Sequence, residues 1–335
     1  MKRLYCNIAE VIDDLSLAGC SSEAAMMKHI RAASRWIDDQ AGEFLPATAA
    51  KTFLGMGFDR LFIPPLLSVS SITVDGVALG PGDYDLLPRN KHWEDGPYTC
   101  VQMASDGTRT RFEVDEEIVI TGTWGLYGAS EDTGQTLPGN VLIGDASIAF
   151  SDGSKISPGM TLKIESEQLL VTASGAFSDS ATNTNQALDS SQETVLTLDG
   201  TKVKAGEVLR IDFEQMKCVE VQTNTALAKR GWNQTTRVAH LTNADVYVLR
   251  TYAVDRGCNG TVAAAHLATT PISRMAIPDD VNYLAREIAA LMLKKAESSF
   301  AGRIGNAETG ETFYFNELPK DAINRILGHY RIVRP

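Results

Sequence analysis

One ten-residue pattern occurs twice in this chain, and it constrains the fold more than any other feature. Residues 159–168 (GMTLKIESEQ) align with residues 206–215 (GEVLRIDFEQ): five positions are identical, and Lys/Arg and Glu/Asp exchanges add two more. Each copy reads as strand, tight connection, strand. Leu162 and Ile164 alternate with Lys163 and Glu165, and Leu209 and Ile211 alternate with Arg210 and Asp212, the period of two that sends successive side chains to opposite faces. Two copies are too few for a solenoid. The pattern predicts a duplicated β-unit fused into one small barrel or sandwich. The Ser/Thr/Gly-rich flanks support an all-β segment over residues 135–275, with a polar mobile loop at 174–194 and a linker at 130–140 (SEDTGQTLPGN).

Both ends of the chain carry a different period. Asn7 with Glu10 three residues on is a capping box, and Ile8, Val11, Ile12 and Leu15 give the short helix an apolar side that Gly19 is expected to stop. Ser22 opens a longer helix in which Met26, Ile30, Ala33 and Ile37 form one stripe. Helix returns at Pro278, Asp279 and Asp280, where a fixed φ and negative charge suit a helix start, and Val281, Leu284, Ile288, Leu291 and Met292 recur behind it. A last helix is expected over Pro319–Leu327 with Gly328 as its stop.

From about Thr52 to Gly125, short apolar runs alternate with turn signals: Asp75-Gly76, Pro81-Gly82 and Asp106-Gly107 separate strands at Arg60–Ile63, Val69–Val74, Tyr84–Leu87, Tyr98–Met103, Arg109–Val114 and Glu117–Thr121. This is a small antiparallel sheet. Amphipathic helices are stabilised mainly by burying their stripe, so the two helical ends are expected to pack on each other and on this sheet. The fold class is then α+β: a discontinuous helical and antiparallel-sheet domain over 1–130 and 277–335, with the all-β domain of 135–275 inserted.

Chemistry is sparse. The 335 residues carry 31 basic and 42 acidic side chains, a net charge of −11, which argues against tight duplex binding through phosphate contacts. No stretch approaches the roughly 18 apolar residues of a membrane span, and no apolar run near Met1 suggests a cleaved leader. The five cysteines are scattered without a C-x-x-C, so they read as buried thiols. Nucleotide-binding, zinc-protease and hydrolase motifs are missing, and neither a metal nor a cofactor is expected. Among the histidines, His29, His92, His240, His266 and His329 show no metal-ligand spacing. The acidic groups Asp13-Asp14, Asp38-Asp39, Asp115-Glu116-Glu117 and Asp279-Asp280 read as solvated charge. Asp255, Cys258 and His266 suggest a nucleophile, but Asn259-Gly260 is first a hairpin signal. No catalytic residue is assigned. Trp36 and Trp124 read as packing residues, and Trp93 and Trp232 as exposed aromatics suited to a protein interface.

The order of these features resembles the head–tail connector (adaptor) proteins of tailed bacteriophages. The resemblance is carried by residues 32–37 (AASRWI), 60–76 (RLFIPPLLSVSSITVDG), 84–87 (YDLL), 118–125 (IVITGTWG) and 277–281 (IPDDV). It spans about residues 5–127 and 277–335 and departs from the family in the long insertion. There, residues 254–266 (VDRGCNGTVAAAH) look like a strand-and-turn motif of small β-domains in phage structural proteins. The resemblance implies a non-enzymatic virion protein at the head–tail junction, assembled in the host cytoplasm. It implies a homo-oligomeric ring, commonly twelvefold, between the portal protein and the neck or tail-completion protein. Genomic DNA would pass through the lumen without sequence-specific binding, and no membrane would be involved. The C-terminal segment of such proteins docks on the portal, which maps to Tyr330, Arg331, Ile332, Val333, Arg334 and Pro335: Ile332 and Val333 would fill apolar pockets, and Arg331 and Arg334 would pair with carboxylates. The alternative is a glycan- or host-surface-binding β-module carried on a phage structural protein.

Overall fold

The computed structural model describes residues 3–20, 22–90, 96–107, 109–191, 193–297, 303–305, 312–314 and 320–330. Asn7 and Ser22 start the first two helices as their chemistry requires. Asn7 accepts from the Glu10 N–H while the Glu10 carboxylate accepts from the Asn7 N–H, opening α1 (Ile8–Asp14). Ser22 accepts from the Ala25 N–H, opening α2 (Glu23–Ala41). Met26, Ile30, Ala33 and Ile37 are all buried. Gly19 is not the stop of α1, which ends five residues earlier.

The early sheet contains β1 (Ala47–Leu54), β2 (Arg60–Val74), β3 (Val77–Ala78), β4 (Tyr84–Leu87), β5 (Tyr98–Met103) and β6 (Glu117–Trp124). Their order is β1-β6-β2-β5-β4, with β3 hairpinned onto β2 through Asp75-Gly76, both at positive φ. At Pro64-Pro65, which have no N–H to offer a ladder, β2 passes from β5 to β6. The expected strand at 109–114 is absent. Its Phe112 instead plugs the sheet's core, and its backbone bonds to Phe58 rather than to a ladder. Strand β1 starts at Ala47, earlier than the apolar alternation suggests.

Helix α3 (Asp279–Glu297) and helix α4 (Lys320–Tyr330) close on α1 and α2. Ile8, Val11, Ile30 and Ile37 from one end of the chain share a single hydrophobic cluster with Val281, Leu284, Ile288, Ile323 and Leu327 from the other. Asn282 binds the Tyr5 carbonyl at 2.9 Å, and Arg286 pairs with Asp14 at 2.9 Å. Helix α4 runs through Gly328 to Tyr330 because Tyr330 still has packing to gain, edge-on to Phe44 at 5.0 Å. No helix among the described residues is long and apolar enough to cross a membrane.

The middle of the chain departs from expectation. It forms two open six-stranded sheets, each with its own hydrophobic cluster, where one barrel or sandwich was expected. The first contains β7 (Ser130–Thr136), β8 (Ser147–Ala149), β9 (Thr161–Ile164), β10 (Glu167–Ser174), β17 (Thr251–Asp255) and β18 (Pro271–Met275). The second contains β11 (Phe177–Asn183), β12 (Glu193–Thr197), β13 (Val208–Ile211), β14 (Glu214–Gln222), β15 (Thr225–Lys229) and β16 (Asp245–Leu249). Their strand orders, β7-β18-β9-β10-β17-β8 and β11-β16-β13-β14-β15-β12, are the same path. We call these units module 1 and module 2.

Module 2 is nested inside module 1. Residues 130–175 correspond to 177–222 at an offset of 47, and residues 225–249 correspond to 251–275 at an offset of 26. The supposed linker at 130–140 therefore holds β7, and the supposed mobile loop at 174–194 holds β11 and the start of β12. Neither edge strand alternates in hydropathy, because its inward positions are hydrogen-bonded polar groups: Thr133 donates to the Ile272 carbonyl at 2.6 Å, and Ser180 donates to that of Val246. A separate two-stranded ribbon pairs β19 (Arg303–Gly305) with β20 (Thr312–Tyr314).

Candidate functional site

The nested copies each bury one ionic cluster, built around the same Glu, Arg, Gly and His at corresponding positions. In module 2, Glu214 at the start of β14 accepts both Nε and Nη2 of Arg230 at 2.7 Å, the Gly231 N–H at 3.1 Å and the Val238 N–H at 3.0 Å. His240 Nε2 lies 3.0 Å from the same carboxylate, and its Nδ1 lies 2.7 Å from Asp212. In module 1, Glu167 accepts Nε and Nη2 of Arg256 at 2.7 and 2.8 Å, together with the N–H groups of Gly257 and Ala264. His266 lies 2.8 Å from both Glu167 and Glu165.

These clusters hold a loop. Each Arg-Gly step turns into a short hook, Trp232–Gln234 or Cys258–Gly260, whose Asn233 or Asn259 adopts a left-handed conformation. Asn233 then reaches Gln215, and Asn259 reaches Gln168, at 2.7 and 2.8 Å. Asn259-Gly260 is thus part of a clamped hook rather than a β-hairpin. Burial opposes ionisation of Glu167 and Glu214, but the Arg, N–H and His donors prevail and hold both near 2, well below the usual carboxylate range. The carboxylates are fully enclosed, and donors already engage both oxygens of each, so the clusters read as structural clamps.

The hooks also attach the modules to the rest of the chain, at matching positions. Asn233 donates its N–H to the Ala18 carbonyl at 3.1 Å and accepts from the Cys20 N–H at 2.8 Å. A Cβ on Gly19 would stand 2.4 Å from the Asn233 nitrogen, so glycine is required there. A Cβ on Gly260 would likewise meet the Thr48 oxygen at 1.9 Å. Trp232, expected as an anchor for a partner, packs against this chain's own helical cluster. Trp36 and Trp124 pack as expected, and Trp93 lies outside the described residues.

The other sequence candidates disperse. Cys258 donates to the Asp255 carbonyl while His266 is committed to Glu165 and Glu167, so no nucleophile–base pair forms. All five cysteines are buried, and burial pushes the Cys218 thiol up to about 11. Asp38 accepts from the Tyr5 hydroxyl. Burial raises its carboxyl to about 6 against the lowering effect of that bond and of Arg3. Glu116 pairs with Arg109, and Asp14 with Arg286. His240 and His266 are the two histidines drawn into clamps, and His92 lies outside the described residues. Among the described residues, no three or more His, Cys, Asp or Glu side chains are grouped so as to hold a metal ion.

Of the six C-terminal residues singled out, Tyr330 is half-buried and donates to Asp280 at 3.0 Å. Arg331, Ile332, Val333, Arg334 and Pro335 lie outside the described residues. Sequence reasoning missed Arg230, His240 and Glu214 as one cluster. The signal was present as R-G-x-N-x-T followed by A-H, at 230–240 and again at 256–266. No family model matches this chain, and no curated protein matches it.

Proposed function

We propose that this protein is a structural virion component: an adaptor that forms a ring, of about twelve copies as the resemblance implies, between the portal of a tailed-phage capsid and the neck or tail. The ring would surround the exiting DNA without reading its sequence, and no catalytic step is involved. In this reading the discontinuous connector domain is residues 1–130 with 277–335, and the nested β-modules are its outer appendage. The observation that carries it is the shared cluster of the terminal helices. Helices separated by the whole middle of the chain bury one stripe, which supports reading the ends as one discontinuous domain with the middle inserted. Subunits that join by unlike surfaces close into a ring when the rotation between neighbours completes a circle.

Portal docking is assigned to Tyr330–Pro335. Tyr330 is held by Phe44 and Asp280, which makes it the root of the segment, so the test removes only residues 331–335. The shortened protein is expected to keep its melting temperature and to lose co-sedimentation with the portal. Undiminished co-sedimentation overturns the docking assignment. Negative-stain images of the full chain mixed with portal that show no ring overturn the adaptor reading itself.

A further inference from the structure

Two copies of one scaffold in one chain separate what the fold needs from what it does not. Positions alike in both modules serve the fold, as the clamps do. One row across module 2 differs from its counterpart in module 1 at Arg210 and Tyr247, while its Asp179 and Gln215 recur there as Asp132 and Gln168. Asp179 on β11 stands opposite Tyr247 on β16, Tyr247 opposite Arg210 on β13, and Arg210 opposite Gln215 on β14. Directly opposed residues share a face of a sheet, so these four side chains form a strip across neighbouring strands about 4.8 Å apart. Phe177, two residues before Asp179 on β11, belongs to the same face. The Arg210 guanidinium lies 4.7 Å from the Tyr247 ring centre and 5.0 Å from that of Phe177.

Module 1 has Ser130, Lys163 and Ser273 at the positions of Phe177, Arg210 and Tyr247, in the same register. The scaffold therefore folds without the aromatic pair and without the guanidinium. Asp179 accepts the Ala181 N–H at 2.8 Å and Phe177 packs against the cluster of module 1, but the Arg210 guanidinium is uncommitted. The Arg210 side chain makes no ion pair and no hydrogen bond among the described residues, and its Nε is buried without a partner. Gln215 receives Asn233 on its oxygen, which leaves its amide N–H groups free for a ligand. In module 1 the matching amide, on Gln168, is spent on the Pro46 carbonyl at 3.2 Å. Phe177, Arg210, Gln215 and Tyr247 are half-buried, and Asp179 is exposed.

We propose that this strip binds a carboxylate-bearing saccharide. An aromatic ring beside planar polar groups suits a sugar, whose C–H face packs on the ring while its hydroxyls meet the Gln215 amide and the Tyr247 hydroxyl. A guanidinium without a counter-charge, held in place by two rings, adds the fork that a carboxylate fills with two parallel hydrogen bonds. This site is independent of the adaptor reading, and neither stands or falls with the other.

The test is isothermal titration of the full chain with oligosaccharides ending in glucuronate or sialate, against the same sugars with the carboxyl reduced to an alcohol. The acidic sugars are expected to bind at least about tenfold tighter than the reduced ones, the factor that about 1.4 kcal/mol supplies. Arg210→Lys and Tyr247→Ser each install the residue that module 1 already carries there, so both variants keep the fold. Each is expected to weaken binding of the acidic sugar by about tenfold or more. No binding of either acidic sugar, equal affinity for the acidic and reduced forms, or unchanged affinity in both variants overturns the proposal.

Discussion

Glutamine at position 214 would keep the shape of the buried carboxylate and remove its charge, leaving Arg230 enclosed without a counter-ion. Breaking one side of a buried pair costs about 3–5 kcal/mol, far more than the intact pair contributes over an apolar substitute. Glu214→Gln and Glu167→Gln are each expected to lower stability by that amount in chemical denaturation. The pH dependence has two limbs of opposite sign. Glu167 and Glu214 sit near 2 in the folded chain against an ordinary 4.5, so their stabilisation is complete above 4.5 and is lost as pH falls toward 2. Asp38 sits near 6 against an ordinary 3.8, so the folded state favours its protonated form, and that contribution disappears as pH rises through 6. Denaturation midpoints measured from pH 2 to 8 should therefore fall on both sides of a maximum between about 4.5 and 6. The two Glu→Gln variants should flatten the acid limb, and Asp38→Asn the limb near 6. A variant that leaves its limb unchanged contradicts the assignment.

The same short element, the hook, docks both modules on the rest of the chain. Gly260 has φ +77°, and a Cβ there would lie 1.9 Å from the Thr48 oxygen. Gly76 has the same φ with open space around it. Gly260→Ala must therefore shift the hook off β1, whereas Gly76→Ala bears only the cost of the turn, about 1 kcal/mol. Hydrogen exchange should show faster opening at Ala47–Ala50 in the first variant and native protection there in the second. What the sequence made legible follows the same division into local and distant. The caps at Asn7 and Ser22 and the stripes of α2 and α3 were readable because each signal lies within a few residues of its effect. Strands β7 and β11 were not, since Thr133, Gln135, Ser180 and Thr182 replace the inward apolar residues that mark a strand. The clamps were half legible. Glu167 and Glu214 are identical positions of the ten-residue repeat, but their arginines and histidines repeat at a different offset, and only nesting brings the two offsets together.

Nesting also decides what the whole molecule should do when divided. Module 2 is one continuous stretch with its own hydrophobic cluster and its own clamp, and its first and last strands pair, Phe177 opposite Leu249. Module 1 is interrupted by it, yet the break is short in space: the Gly175 N–H donates to the Thr251 carbonyl at 2.8 Å. A unit with its own core and adjacent ends meets the conditions for folding alone and for tolerating removal. Residues 176–250 expressed by themselves are expected to unfold in one cooperative transition, and Trp232, the one tryptophan in that stretch, reports on the docking. In the full chain Trp232 packs against the helical cluster and lies 5.6 Å from the Lys217 ammonium. Freed from the helices it should emit at longer wavelength, while circular dichroism retains its β signature. The complementary deletion, Gly175 joined through two glycines to Thr251, should keep module 1 and the helices folded with a lower melting temperature, because Glu207 and Arg250 leave with module 2. Glu207 now accepts the Gly153 N–H at 3.1 Å across the module boundary, and Arg250 at 2.6 Å. A fragment 176–250 that stays unfolded would mean that module 2 depends on the surface it docks against. The two sheets would then be one cooperative unit despite their separate cores.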